Sequence, residues 1–83
     1  MIETQIADGE WEFSSRLEVE YLNEKYQFGL AEDDEYDTLA GYIIAEHGGI
    51  PQQGDEIAVN GYRIKILRRE QSRLDLVRVS RAE

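Results

Sequence analysis

Cysteine is absent from this chain of 83 residues, which excludes disulfides, thiolate metal sites and a cysteine nucleophile. Such a composition fits a reducing compartment. Histidine occurs only at His47 and proline only at Pro51. A general base needs a partner within hydrogen-bond reach. No serine or cysteine motif accompanies His47, so it reads as a helix-end surface residue. No apolar run reaches the roughly 18–20 residues that a membrane span requires. The opening MIETQIADGE lacks the basic and apolar regions of a signal peptide, so any targeting is expected to lie in a larger parent protein. The seven glycines match neither Gly-x-x-x-x-Gly-Lys-Ser/Thr nor Gly-x-Gly-x-x-Gly, which argues against a phosphate-cradling loop.

What is present is acid. Eighteen Asp and Glu face nine Lys and Arg, a net charge of −9. The imbalance is uneven: residues 1–60 carry fifteen acids and two bases, whereas 61–83 carry seven bases and three acids. So acidic a body repels phosphate backbones, and nucleic acid is not an expected partner. The basic C-terminal part is expected to neutralise the acidic half within the same fold. A hydrophobic content of 41%, with five Tyr, two Phe and one Trp, suffices for one globular domain spanning 1–83. A chain this short buries only about two-thirds of its unfolded surface, leaving little room for a deep cavity.

The pattern along the chain predicts an α+β fold, two short helices on a small, mainly antiparallel sheet in the order β-α-α-β-β-β. Ile2–Ala7 is an extended lead-in, and Asp8-Gly9 is a turn signal. Glu10 to Ser14 alternates as a half-buried strand does, with core aromatics Trp11 and Phe13 facing inward. Val19, Leu22 and Tyr26 share one helical face, so a helix is expected over Glu18–Tyr26, with Gly29 as its left-handed cap. Thr38 is an N-cap for a second helix carrying Leu39 and Ile43 inward. Gly41 within that helix costs about 1 kcal/mol relative to Ala, which implies that another backbone or ring packs close.

Gly48-Gly49 stops the second helix, Ile50 is expected to reach back as its apolar contact, and Pro51 to Gly54 reads as a β-turn. The stretch from Thr38 to Asp55 organises the chain. Beyond it, Glu56 to Val59 and Tyr62 to Ile66 alternate around Asn60-Gly61, a type I′ hairpin signal. The final strand, Arg73–Val79, changes phase between Leu74/Leu76 and Val77/Val79, and one extra residue in a β-bulge reconciles the two sets.

Between the helices, Glu32-Asp33-Asp34-Glu35-Tyr36-Asp37 is the most acidic run. A hard cation wants oxygen ligands, which makes Asp33, Asp34, Glu35 and Asp37 weak metal candidates. The run has no EF-hand spacing, and a solvated loop is the reading adopted; no metal or cofactor is expected. Paired-carboxylate hydrolysis has no support beyond the number of acids, since nothing in the sequence singles out a carboxyl with a raised pKa.

The ordered motifs resemble a known family. They are Arg16-Leu17, Leu22-Asn23, Phe28-Gly29-Leu30, the acidic stretch, Thr38-Leu39-Ala40-Gly41, Gly49-Ile50-Pro51, Gly54-Asp55, then Leu74 and Val77-x-Val79. Together they are similar to the transporter-associated domain of CorC/HlyC-type, or hemolysin-like, proteins over about Gly9 to Val79. Thr38, Leu39, Gly41, Gly49, Pro51, Gly54 and Asp55 carry the most specific part, as structural positions. The departure is the second helix's exit, where Gly48-Gly49-Ile50-Pro51 stands for the family's Gly-Arg-Ile-Pro. The resemblance implies a fold similar to the FAD-binding domain of certain flavoproteins and no catalytic residues. It implies a place beside a pair of CBS domains on the cytoplasmic side of magnesium and cobalt efflux proteins, reaching the membrane only through the parent protein. The expected function is regulation of ion transport by docking on the CBS pair or in a homodimer. The alternative is a nucleotide- or flavin-binding module, resting on fold analogy.

Overall fold

The computed structural model describes residues 1–82. Its elements are β1 (Glu3–Ala7), β2 (Glu10–Ser14), α1 (Val19–Tyr26), α2 (Leu39–His47), β3 (Glu56–Val59), β4 (Tyr62–Glu70) and β5 (Arg73–Arg81). The strands make one sheet in the order β1-β2-β5-β4-β3, with every pairing antiparallel. Both helices contribute to a core on one face of this sheet. The expected two-helix, antiparallel α+β architecture is therefore the one observed, with one addition. The lead-in is itself a strand, folded back on β2 by the Asp8-Gly9 turn with Gly9 at φ 73°. Its sequence concealed this because every β1 residue except Glu3 is exposed, so no inward alternation marks it.

The core places Trp11, Phe13, Ile64, Ile66, Val77 and Val79 of the sheet against Leu22, Leu39, Tyr42 and Ile43 of the helices. A fully buried large apolar side chain stabilises by about 1.5–3 kcal/mol. Helices of eight and nine residues would be marginal alone, and this burial is what holds them. Phe28 lies 5.0 Å, centroid to centroid, from both Trp11 and Tyr62, edge to face in each case. It thereby closes the core where α1 runs out.

Local details depart from expectation in three places. Gln27, at φ 59°, is the left-handed cap of α1, not Gly29. The chain must reverse quickly there because Asn23 captures the backbone of Leu30. Ile50 stays exposed after the Gly48 cap and makes no core contact, while Pro51 is buried instead. The turn closes one residue late, with Asp55 N–H donating to the Gln52 carbonyl at 3.0 Å. The expected phase change in β5 is present: Leu74, Val77 and Val79 are buried while Leu76 is only half-buried. The β4–β5 register shifts beside it, between Ile66 and Arg68 and again between Arg68 and Arg69. Asn60 and Gly61 take φ 48° and 84°, as a type I′ turn requires.

Candidate functional site

The starts of the two helices are braced against each other. Helix N-termini leave backbone N–H groups without intrahelical partners. Here Leu39 N–H donates to the Leu17 carbonyl (2.8 Å), Ala40 N–H to Ser15 (2.9 Å), and Val19 N–H to Asp37 (2.9 Å). Thr38 Oγ1 accepts from Gly41 N–H at 3.3 Å, the capping bond its position predicts. Glu18 and Thr38, each just ahead of its helix, form an isolated antiparallel bridge. Ser15 is fully buried and donates its hydroxyl to the Leu74 carbonyl at 2.6 Å, tying the brace to β5. The first-turn amides of α2 are thus spent on the protein itself.

This brace sets the acidic run beside the first turn of α1. Glu18, Glu20, Glu32, Asp33, Asp34 and Asp37 line an open groove of about 300 Å³ together with Val19 and Tyr36. Of the four metal candidates, Asp33, Asp34 and Asp37 reach this groove and Glu35 does not. Glu18 and Glu20 join them from a different element, which the local run could not reveal. Asp33 is turned to its own backbone, where Oδ1 accepts from Glu35 N–H at 2.9 Å. Among the described residues no three carboxylate or histidine side chains converge as a metal would require.

Tyr36 anchors the run. Its hydroxyl donates to the Ala31 carbonyl at 2.6 Å, and its ring meets Tyr42 edge to face at 5.9 Å. Burial first, then the charges of Asp33, Glu46 and Glu32, push the Tyr36 phenol above its ordinary pKa. Burial and Glu46 push Tyr42 up to about 12. Both phenols therefore stay protonated near neutrality. The close approach expected at Gly41 is Tyr36: a Cβ at residue 41 would lie 2.6 Å from Tyr36 Cβ.

The rest of the organising stretch forms the exit of α2. Gly48 N–H and Gly49 N–H both donate to the Ile44 carbonyl, at 2.9 and 3.2 Å. Asp55 Oδ2 accepts from Gln52 N–H at 2.9 Å, returning the bond that Asp55 gives, while Gly54 sits at φ 95° in the same turn. Arg69 donates to the Pro51 carbonyl at 3.1 Å and fastens the turn to β4. His47 is exposed at the helix end, its Nδ1 3.0 Å from the Gly49 carbonyl oxygen.

A second polar cluster escaped the sequence. The Glu3 carboxylate accepts from Lys25 Nζ (2.7 Å), Tyr26 Oη (2.6 Å) and Tyr21 Oη (2.8 Å), pinning β1 to α1. The Lys25 bond, followed by that of Tyr26, holds Glu3 down at about pKa 2. The same contact raises the Lys25 ammonium. Partners 18 to 23 residues apart leave no local signal.

The sheet face away from the helices is polar. A cross-strand row runs Glu12, Arg78, Lys65, Glu56, and beside it lies Glu10, Ser80, Arg63, Ala58. Arg78 pairs with Glu12 at 2.9 Å, joining the basic and acidic halves, while Arg68 pairs with Asp75 at 2.6 Å within the basic half. This face therefore mixes both signs, Glu10, Glu12 and Glu56 with Arg63, Lys65 and Arg78. Acids crowd the helix starts, and Arg63, Lys65 and Arg78 cross the middle of the opposite face. No helix among the described residues is long and apolar enough to cross a membrane.

An antiparallel sheet with two short helices on one face, an acid-lined groove where those helices begin and a charged opposite face define a small α+β domain. The chain belongs to the transporter associated domain family, CorC_HlyC, whose model matches residues 4–83. It is 44% identical over 50 residues to the UPF0053 inner membrane protein YoaE of Escherichia coli K12, covering 60% of this chain and 10% of that protein. It is 27% identical over 75 residues to the magnesium and cobalt efflux protein CorC of the same organism, covering 90% of this chain and 25% of CorC. The chain thus spans between a tenth and a quarter of these relatives' length.

Among solved structures, a hemolysin domain from Enterococcus faecalis superposes with TM-score 0.87 at 30% identity, covering both chains fully. The transporter associated domain of a Xylella fastidiosa hemolysin, in complex with Mg²⁺ and Mn²⁺, superposes with TM-score 0.83 at 28% identity, again over both full chains.

Proposed function

We propose that this domain is a non-enzymatic regulatory module of a magnesium or cobalt efflux protein, acting by docking on the cytoplasmic side. Its partner is the CBS domain pair of the same parent protein. The match of the transporter associated domain model to residues 4–83 carries this reading, and the likeness to the efflux protein CorC supports it. The physical basis is the placement of charge. A groove ringed by six carboxylates and a sheet face that mixes Arg63, Lys65 and Arg78 with Glu10, Glu12 and Glu56 give a partner one acidic and one mixed-charge surface. Complementary fields of this kind fix orientation and speed encounter more than they add affinity. Docking that tightens or loosens with the state of the CBS pair would bias the attached transport machinery through differential affinity for its two states.

Sedimentation of this domain with the CBS fragment of its parent protein is the test. The expected result is a complex that weakens as salt rises and that Arg63→Glu/Lys65→Glu disrupts. Two species that sediment independently at low salt would overturn the reading.

A further inference from the structure

Between α2 and the β3–β4 hairpin lies an open cleft of about 390 Å³. Ligand sites typically measure about 300–1,000 Å³, so this one has room for a single side chain or a small molecule. Three polar side chains line it: Tyr42 and Glu46, one turn apart on α2, and Asn60 of the hairpin turn. Tyr42 is only 2% exposed, yet its hydroxyl has no hydrogen-bond partner among the described residues. The Tyr36 hydroxyl, by contrast, is taken up by the Ala31 carbonyl. Buried phenols usually find a partner, so one without it on a cleft wall is free to bond a ligand. Asn60 is held in one orientation: Nδ2 donates to the Phe28 and Gly29 carbonyls at 2.7 and 3.0 Å, which leaves Oδ1 as a free acceptor. That approach depends on Gly29, where a Cβ would lie 2.7 Å from Asn60 Nδ2. Glu46 is exposed and makes no ion pair among the described residues.

We infer that this cleft receives a basic side chain of the docked partner, an ammonium or guanidinium group on an unbranched stem. Glu46 supplies the counter-charge, and Tyr42 Oη and Asn60 Oδ1 accept N–H groups of the cation. The inference deepens the docking reading above and rests on it.

Charge and hydrogen-bond balance select this occupant. The Glu46 carboxylate and Asn60 Oδ1 can only accept, and no Lys or Arg lines the cleft, so an anion is repelled and a donor-rich cation is matched. Fifteen acids among residues 1–60 add a field of the same sign. A divalent metal ion is a poor fit, because one carboxylate is too few and no three metal-ligating side chains of the described residues converge. Ala58 and Val59 line the cleft as well, and an alkyl stem can lie along them while its charged end reaches Glu46.

Titration of this domain with Nα-acetyl-lysine methylamide, its arginine analogue and its uncharged norleucine analogue, followed by NMR shifts, tests the site. The expected result is saturable shifts at Glu46, Val59 and Asn60 with both basic compounds, at millimolar dissociation constants that rise with salt, and none with norleucine. Glu46→Gln should weaken binding about tenfold or more, and Tyr42→Phe about threefold or more. Tyr42→Phe removes a hydroxyl that no group in the described chain uses, so its melting temperature should not fall. Glu46 is exposed, so Glu46→Gln carries the test alone should Tyr42→Phe disturb the core. Shifts that fail to saturate, that norleucine reproduces, or that Glu46→Gln leaves unchanged overturn the inference. Sedimentation with the CBS fragment keeps the two readings apart. Glu46→Gln should weaken that complex about tenfold at low salt. A complex indifferent to Glu46→Gln overturns this inference and leaves the docking function standing. No complex even with the unaltered domain overturns the docking function, and basic compounds that still saturate would then assign the cleft to a free organic amine, against the inference.

Discussion

The side-chain amide of Asn23 makes a two-way hydrogen bond with the backbone of Leu30: Nδ2 donates to the Leu30 carbonyl at 2.8 Å, and Leu30 N–H donates to Oδ1 at 2.9 Å. One side chain thus does for the chain after α1 what a neighbouring strand would do. It forces the reversal through Gln27 and Gly29, both at positive φ, and sets Phe28 into the aromatic cluster. Asn60 holds the same reversal from the hairpin side, donating to the Phe28 carbonyl at 2.7 Å.

Asn23→Ala leaves both Leu30 groups without that partner, in a segment that ends in the core. Each net hydrogen bond contributes about 0.5–1.5 kcal/mol, so the loss is about 2 kcal/mol in urea unfolding. Asn23→Asp keeps the acceptor but turns a carboxylate toward the Leu30 carbonyl and toward Glu32, which now accepts from Nδ2 at 2.9 Å. The Asp variant is expected to be the less stable of the two at pH 7 and to recover toward the Ala variant in acid. Equal stability at both pH values would count against the assigned geometry.

Gly41→Ala inverts the usual rule for helices. In an open helix the change would stabilise by about 1 kcal/mol. Here the new Cβ meets Tyr36 Cβ at 2.6 Å, an atom fixed to the backbone and unable to swing away. Overpacking of this kind costs about 1–3 kcal/mol, so the variant is expected to melt lower. Tyr36→Ala keeps the offending Cβ and should not rescue it, whereas Tyr36→Gly should. A double-mutant cycle by thermal unfolding checks both.

The Glu3 cluster makes stability depend on acid. Its folded pKa, about 2, lies below the ordinary 4.5 because Lys25 and Tyr26 favour the charged form. A depressed carboxyl stabilises the fold above the unfolded pKa, and that contribution disappears as pH falls through the folded value. Glu3→Gln is therefore expected to lower the melting temperature by a few degrees at pH 7, and the gap should close between about pH 4.5 and pH 2. Lys25 is half exposed, so the loss stays near the lower end for charge-assisted bonds. A gap that persists at pH 2 would mean that Gln disturbs packing rather than charge.

The helices, the β3–β4 hairpin and the core aromatics were legible because each announces itself over a few neighbouring residues. Thr38 and Asn60-Gly61 act through bonds that begin and end within one turn. Gly41 was informative for the opposite reason, since a residue that costs stability in a helix implies a close neighbour, here Tyr36. β1 was not legible: an edge strand exposed from Thr4 to Ala7 has no buried face to impose alternation. Nor were the Asn23–Leu30 bond and the Glu3 cluster, whose partners meet only after the sheet and α1 have packed. The acidic groove lay between these cases. Its loop half is a visible charge run, but Glu18 and Glu20 join it through the Glu18–Thr38 bridge between the helix starts.

The acidic groove is open and ringed by six carboxylates. Asp33 Oδ1 is engaged by Glu35 N–H, and no three described carboxylates share a focus, so the groove attracts cations without the fixed oxygen cage that selects one. Titration calorimetry with Mg²⁺ and Ca²⁺ is expected to give no saturable heat above dilution at millimolar metal. A diffuse attraction should appear only as a small rise in melting temperature that monovalent salt at equal ionic strength reproduces. Asp33→Asn/Asp34→Asn should raise the melting temperature on its own by relieving repulsion among the six groove acids. A saturable isotherm that this double variant abolishes would reverse the prediction and make the loop a metal site, as the Mg²⁺ and Mn²⁺ complex of the Xylella fastidiosa domain invites one to test. FAD, ATP and AMP in the same thermal assay should leave the melting temperature unchanged, because anionic ligands meet an acidic groove at one end of the fold and no glycine-rich cradle in the sequence.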